Sequence, residues 1–215
     1  MHPLKRKIFK LHRIFNITLR VITLFIRLFL VIFLAKTLSP KDFGTYSLLV
    51  AVVAYNTLIL GFDAYTYYQR QVNTENCEHT SAVMKAQFKL HAKLYPILIL
   101  FSICSAVAFG IAKEWMVVVI ALSISEHIAQ EFYRMLIILN KHTHASIAFF
   151  MRTGLWVLLM PPINLIYKIE LTHVYVIWLM FSCLSSLYGF YIIKLSVWKK
   201  GAPDVKFEIV DIFKT

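Results

Sequence analysis

The sequence predicts an all-α, polytopic membrane protein: a bundle of six transmembrane helices with both termini in the cytoplasm. Three observations carry this expectation. Hydrophobic residues make up 59% of the 215 positions and mean hydropathy is +0.67, outside the range of an ordinary soluble domain. Six apolar stretches are long enough to span: residues 14–35, 45–68, 90–112, 115–140, 145–167 and 171–195. Lys and Arg, finally, gather at one side. With the N-terminus in the cytoplasm, all of the 23 fall at or near that side except Lys36, Lys41, Lys113 and Lys168, outside, and Arg20 and Arg27, within the membrane. The formal net charge of +12 therefore reports topology, and no nucleic-acid partner is expected. The chain divides into a basic cytoplasmic N-terminus (1–13), the bundle (14–195) and a cytoplasmic tail (196–215).

The first helix has a polar edge. Arg13, Asn16, Arg20, Thr23 and Arg27 follow at steps of three and four, so they share one face, while Phe15, Val21, Leu24, Phe25 and Leu28 cover the others. A span from Ile14 to Ala35 is roughly 33 Å long, which crosses a hydrocarbon core of about 30 Å. Arg20, about 9 Å from one edge, can snorkel to the interface. Arg27 lies about 20 Å from that edge, where an arginine costs roughly 2.5 to 3.5 kcal/mol on insertion scales, so the face is expected to line something polar. The basic start followed by this run resembles a signal peptide in outline. The run is too long and no small-x-small site follows, so an uncleaved helix is expected.

Next comes the string LAKTLSPKDFGTYSLLVAVVAYNTLILGFDAYTYYQRQV. Pro40 disfavours helix at Ser39, and Gly44 is expected to relax the backbone before the second span. The string resembles the signature of polysaccharide flippases, the O-antigen repeat-unit transporters of the multidrug, oligosaccharidyl-lipid and polysaccharide exporter superfamily. Pro40, Asp42, Phe43, Gly44 and Tyr46 match its turn; Ser39 and Lys36 stand where Gly and Arg are common. The likeness covers the first two helices and, more loosely, the six-helix layout. It implies one lobe of a two-lobe exporter, with the tail resembling the inter-lobe linker and the second lobe missing.

In the second span, Asn56 lies near mid-depth, suited to a sugar hydroxyl or a neighbouring helix, and Asp63 lies near the cytoplasmic end as an ion-coupling candidate or a lysine partner. Residues 71–89 read as a solvated cytoplasmic connection with a short surface helix. Ser102, Ala106 and Gly110 form a small-residue ridge in the third span, as do Ser182, Ser186 and Gly189 in the sixth. In the fourth, Ser123, Glu126, His127, Gln130, Glu131 and Arg134 form a polar band inside an apolar frame. Glu126, about 16 Å deep, reads either as the partner of Arg27 or His127 or as a protonatable coupling group, with His127 beside it. Arg152 follows in the fifth span, where Pro161-Pro162 is expected to break or kink the helix. His142 and His144 alternate in a short loop, but no third ligand accompanies them. Cys77, Cys104 and Cys183 supply neither a disulfide framework nor zinc spacing. No metal site, cofactor or catalytic residue is expected, and the chain is not read as an enzyme.

The resemblance implies flipping of an undecaprenyl-diphosphate-linked oligosaccharide across the bacterial cytoplasmic (inner) membrane in O-antigen or capsule biosynthesis, by a truncated or half transporter. A diphosphate is a dense anion that arginine holds bidentately. Helix geometry selects Arg20, Arg27 and Arg152 for it and Asn16, Thr23, Asn56 and Gln130 for sugar hydroxyls; Glu126, His127 and Asp63 are the ion-coupling candidates. Expected partners are the lipid-linked oligosaccharide, membrane lipid, and a second lobe, a homodimer partner or polysaccharide-assembly proteins. The alternatives are a non-transporting truncated product or interaction partner and a multidrug exporter of the same superfamily, whose cavity would be acidic where this face is basic. A membrane-embedded acyltransferase or polymerase would need converging catalytic groups that the chain does not supply.

Overall fold

The computed structural model describes the backbone of residues 3–61, 70, 72 and 77–196, and side chains over residues 13–59, 70, 72 and 80–196. Among these residues every regular element is helical. They are α1 (Pro3–Thr37), α2 (Pro40–Gly61), α3 (Cys77–Ala108), a 3-10 turn (Lys113–Trp115), α4 (Met116–Ile138), α5 (His142–Phe150), a π-helical turn (Met151–Leu155), α6 (Trp156–Ile166) and α7 (Leu171–Ser196). Six segments are long and apolar enough to cross a membrane; the fifth, His142–Ile166, joins α5, the π turn and α6. The chain is thus a multi-pass membrane protein by length and composition. Asp63 and the tail residues 197–215 lie outside the described residues.

The α1–α2 turn has a local cause. The backbone N–H of Asp42 donates to Ser39 Oγ (3.1 Å), and that hydroxyl donates to Asp42 Oδ2 (2.7 Å). Ser39 is an N-cap, Pro40 opens the helix where its missing N–H costs nothing, and Asp42 sits in the favoured first turn. Gly44 does not relax this backbone: it lies inside α2, with nothing within 4 Å of the position its Cβ would occupy. Two other helix ends close alike. Gly110 (φ 68°) and Asn140 (φ 56°) take the left-handed conformation. The N–H of Ile111 then donates to Ala106 and that of Lys141 to Leu136, each at 2.8 Å, satisfying carbonyls that the helix leaves open. Gly110 is therefore a C-terminal cap, and the buried ridge of α3 ends at Ser102 and Ala106.

The central helix is α4, which packs on α2, α3, α5 and most extensively α7. At the α4–α7 crossing a Cβ on Gly189 would lie 2.7 Å from Phe132 Cβ. Gly189→Ala is expected to cost about 1–3 kcal/mol by overpacking, read as a lower thermal midpoint in detergent.

α1 is the outlier, packed chiefly on the fifth span and only slightly on α2. Thr23, Leu30 and Leu34 are buried on it, with Asn16, Leu19, Ile26, Phe33 and Thr37 half-buried. Those positions repeat at three and four, the seam of two packed helices. Most of the other described side chains of α1, including Phe25, Leu24 and Leu28, form exposed apolar surface suited to lipid.

Two expectations need correction. Residues 80–89 belong to α3 and are not a solvated connection: Ser81, Ala82, Val83, Met84, Ala86 and Gln87 are buried. The small residues and Met84 form a face that packs toward Phe132, Met135 and Leu136 of α4, which outweighs the polar content of the segment. Nor does Pro161-Pro162 end the fifth span, since both lie within α6. The departure from α geometry comes earlier, at Met151–Leu155, where the indole N–H of Trp156 donates to the Arg152 carbonyl (3.0 Å).

Candidate functional site

Among the described residues the charged and titratable side chains gather at a groove beside α1, at a knot around Glu126 and in a closed cluster between α3 and α4, while Asn56 joins serines elsewhere in the core.

The groove follows from how α1 is held. Its seam faces the fifth span, so Arg20 and Arg27, one step round the helix, are exposed. Arg20 donates to the Tyr133 hydroxyl of α4 (3.2 Å). Arg27 makes no hydrogen bond or ion pair with a described residue. It nonetheless lies close enough to Tyr46 on α2 and Arg152 in the fifth span to act on both electrostatically. Both arginines thus overlook the space between α1 and the α2–α4 side. At the basic end lies a cavity of about 810 Å³ lined by Arg13, Asn16, Arg20 and the α4–α5 turn from Asn140 to His144. Asn16 Oδ1 is buried there with no hydrogen-bond partner among the described residues. His142 and His144 line the same cavity, and His144 Nδ1 meets the Tyr188 hydroxyl at 2.7 Å.

The knot answers the question of Glu126. Its partner is Arg152, in place of Arg27 or His127: Arg152 Nε lies 3.6 Å from Glu126 Oε2, and Arg152 Nη1 donates to the Glu126 carbonyl (3.2 Å). The Trp178 indole N–H donates to Glu126 Oε1 (2.8 Å), and Trp178 stacks on Trp156 at 6.2 Å and 9°. One carboxylate thereby ties α4, the fifth span and α7. A buried arginine so neutralised is occupied with its neighbour, which removes Arg152 from the direct anion ligands.

The other predicted residues separate by burial. Thr23 is fully buried, donates to the Leu19 carbonyl (2.7 Å) and approaches Gly154, so it packs α1 against the π turn and faces no sugar. Asn56 is fully buried, and its Nδ2 donates to Ser102 (2.9 Å) and Ser123 (3.0 Å), joining α2, α3 and α4. It is a packing residue. Asn56→Ala is expected to lower the thermal midpoint in detergent, at up to about 1.7 kcal/mol per interhelical bond. Gln130 is half-buried.

The closed cluster contains residues that periodicity overlooked. His91 and Gln87 of α3, one turn apart, face His127 and Glu131 of α4, also one turn apart. The imidazoles meet edge to face at 4.8 Å between centroids, and His127 Nδ1 lies 3.3 Å from the Tyr95 hydroxyl. Glu131 Oε1 accepts from Arg134 (2.8 Å) and lies 3.9 Å from His127 Nε2, while Oε2 accepts from Gln87. His91, His127 and Glu131 are each about 1% exposed. The paired i,i+4 spacing of polar residues on two consecutive apolar helices is the signal that would have found them.

No protein-family model, curated protein or solved structure matches this chain.

Proposed function

We propose that this protein moves an anionic lipid-linked saccharide, of the undecaprenyl-diphosphate class, from one leaflet of the bacterial cytoplasmic membrane to the other. The bundle then acts as one lobe of a two-lobe exporter, with both termini in the cytoplasm, and performs no covalent chemistry. The observation that carries this reading is the exposure of Arg27 and Arg20 on the groove side of a helix whose described surface is otherwise mostly apolar. A guanidinium at that depth with no carboxylate partner among the described residues is costly unless an anion visits it. A diphosphate offers the bidentate geometry that arginine prefers, while the lipid chain lies along the exposed apolar face of α1. The Ser39–Asp42 cap that shapes the α1–α2 turn belongs to the string resembling polysaccharide flippases, which supports the same class of cargo. The cavity beside Arg13, Asn16 and Arg20 is also lined by Asn140, Lys141, Thr143 and Ser146, groups able to bond sugar hydroxyls at the basic end.

The test is complementation of surface-polysaccharide export in a strain lacking this gene. At equal expression Arg27→Ala is expected to reduce export at least about 10-fold, the effect of losing one charged hydrogen bond, and Arg27→Lys to retain part of it. Normal export by Arg27→Ala would remove the substrate role from Arg27.

A further inference from the structure

The cluster between α3 and α4 has a chemistry that the groove does not use. His91, His127 and Glu131 each aim one ligand atom at a common point, and those atoms lie within 4.8 Å of one another. Both ring nitrogens of His91 and Nε2 of His127 are buried with no hydrogen-bond partner among the described residues. Orphaned imidazole nitrogens deep in an apolar bundle are costly, and two of them facing one carboxylate is the arrangement that a cation resolves.

We infer that His91, His127 and Glu131 bind one zinc-class divalent cation that joins α3 to α4. This rests on the buried cluster alone and is independent of the transport reading. Two imidazoles and one carboxylate are the donor set of a borderline cation, in contrast to the oxygen-only shells of calcium and magnesium. Tetrahedral coordination at about 2.0–2.2 Å needs ligand atoms about 3.3 Å apart, so each moves inward by less than about 1 Å. The fourth position is left for a small ligand such as water.

The surroundings orient the ligands as an outer shell does. With its Nδ1 proton donated to the Tyr95 oxygen, 3.3 Å away, His127 presents the Nε2 lone pair to the common point. Gln87 and Arg134 hold the two Glu131 oxygens, and each oxygen keeps a further lone pair for a metal. Arg134 adds an opposing positive charge, but its side chain is 23% exposed, so solvent screens part of it. His142 and His144 form no such site: His144 is engaged with Tyr188, and both border an open cavity.

The experiment uses the full chain, purified in detergent with a histidine-free affinity tag. Elemental analysis after dialysis against zinc, and the visible absorption of the cobalt(II)-loaded protein, are the readouts. Zinc near one per chain and an intense tetrahedral cobalt spectrum are expected. Tyr95→Phe, which leaves the ligands in place, is expected to weaken zinc binding about 10–100-fold. The double variant His91→Ala/His127→Ala is expected to lose zinc, and His142→Ala/His144→Ala to keep it. Background zinc in the unaltered protein, or a weak cobalt spectrum like that of the aqueous ion, would overturn the site without recourse to any variant. Zinc retained by the His91/His127 double variant would also overturn it.

Discussion

Replacing Glu126 with alanine is expected to destabilise the bundle by about 3–5 kcal/mol, the cost of leaving a buried charge without its partner. Arg152 is 8% exposed and faces no other carboxylate among the described residues, so nothing replaces Glu126. Trp178 loses its acceptor at the same time. The double substitution Glu126→Leu/Arg152→Met removes both charges and is expected to recover most of the stability, since well-packed apolar residues often match a buried ion pair. Unfolding of the unaltered protein and the two variants in detergent, followed by circular dichroism, measures the difference. A single Glu126→Ala variant as stable as the double one would mean that the pair does not hold α4 to the fifth span.

The largest functional effect is expected from the double substitution Arg20→Ala/Arg27→Ala, with the opposite sign on stability. Neither arginine belongs to the seam that holds α1 to the fifth span, which is built from Leu19, Thr23, Ile26, Leu30 and Leu34. Removing two charges from a membrane-spanning helix favours its insertion by roughly 2.5 to 3.5 kcal/mol for a central position and less near the interface. The variant should therefore accumulate normally while surface-polysaccharide export falls at least about 100-fold, two charged hydrogen-bonding groups being lost together. Reduced export that tracks reduced protein level would assign the arginines to folding.

The six spans were legible because apolar runs of that length have no other economical fold, and Pro40 marked the α1–α2 turn. The face of α1 was legible only in part. Polar residues at helical spacing put Arg20 and Arg27 on one face, and both are exposed, but the same spacing gathered Thr23, which the seam buries. A helical period fixes which residues share a face and leaves open where a neighbour ends, and Thr23 hides its hydroxyl against its own Leu19 carbonyl. The reading of Glu126 found a partnered carboxylate and chose the wrong cation, because Arg27 matches its depth along the spans and only tertiary packing brings Arg152 to it. Residues 80–89 looked solvated because Thr80, Ser81, Gln87 and two lysines lower their hydropathy. Their small side chains are what allow α3 to approach α4, and with that approach come Gln87 and His91. The π turn at Met151–Leu155 left no such trace, since the two prolines that mark a break in sequence lie about two turns further along.

The central claim is that the exposed arginine edge of α1 receives an anionic lipid headgroup. The direct measurement is binding of a short-chain polyprenyl diphosphate to the purified chain, by calorimetry in detergent, with the matching uncharged polyprenol as control. The account predicts binding of the diphosphate in preference to the polyprenol, weakened about 10–100-fold in Arg27→Ala and further in the Arg20/Arg27 double variant. Equal affinity for diphosphate and polyprenol, or equal affinity of the double variant and the unaltered protein, would contradict it.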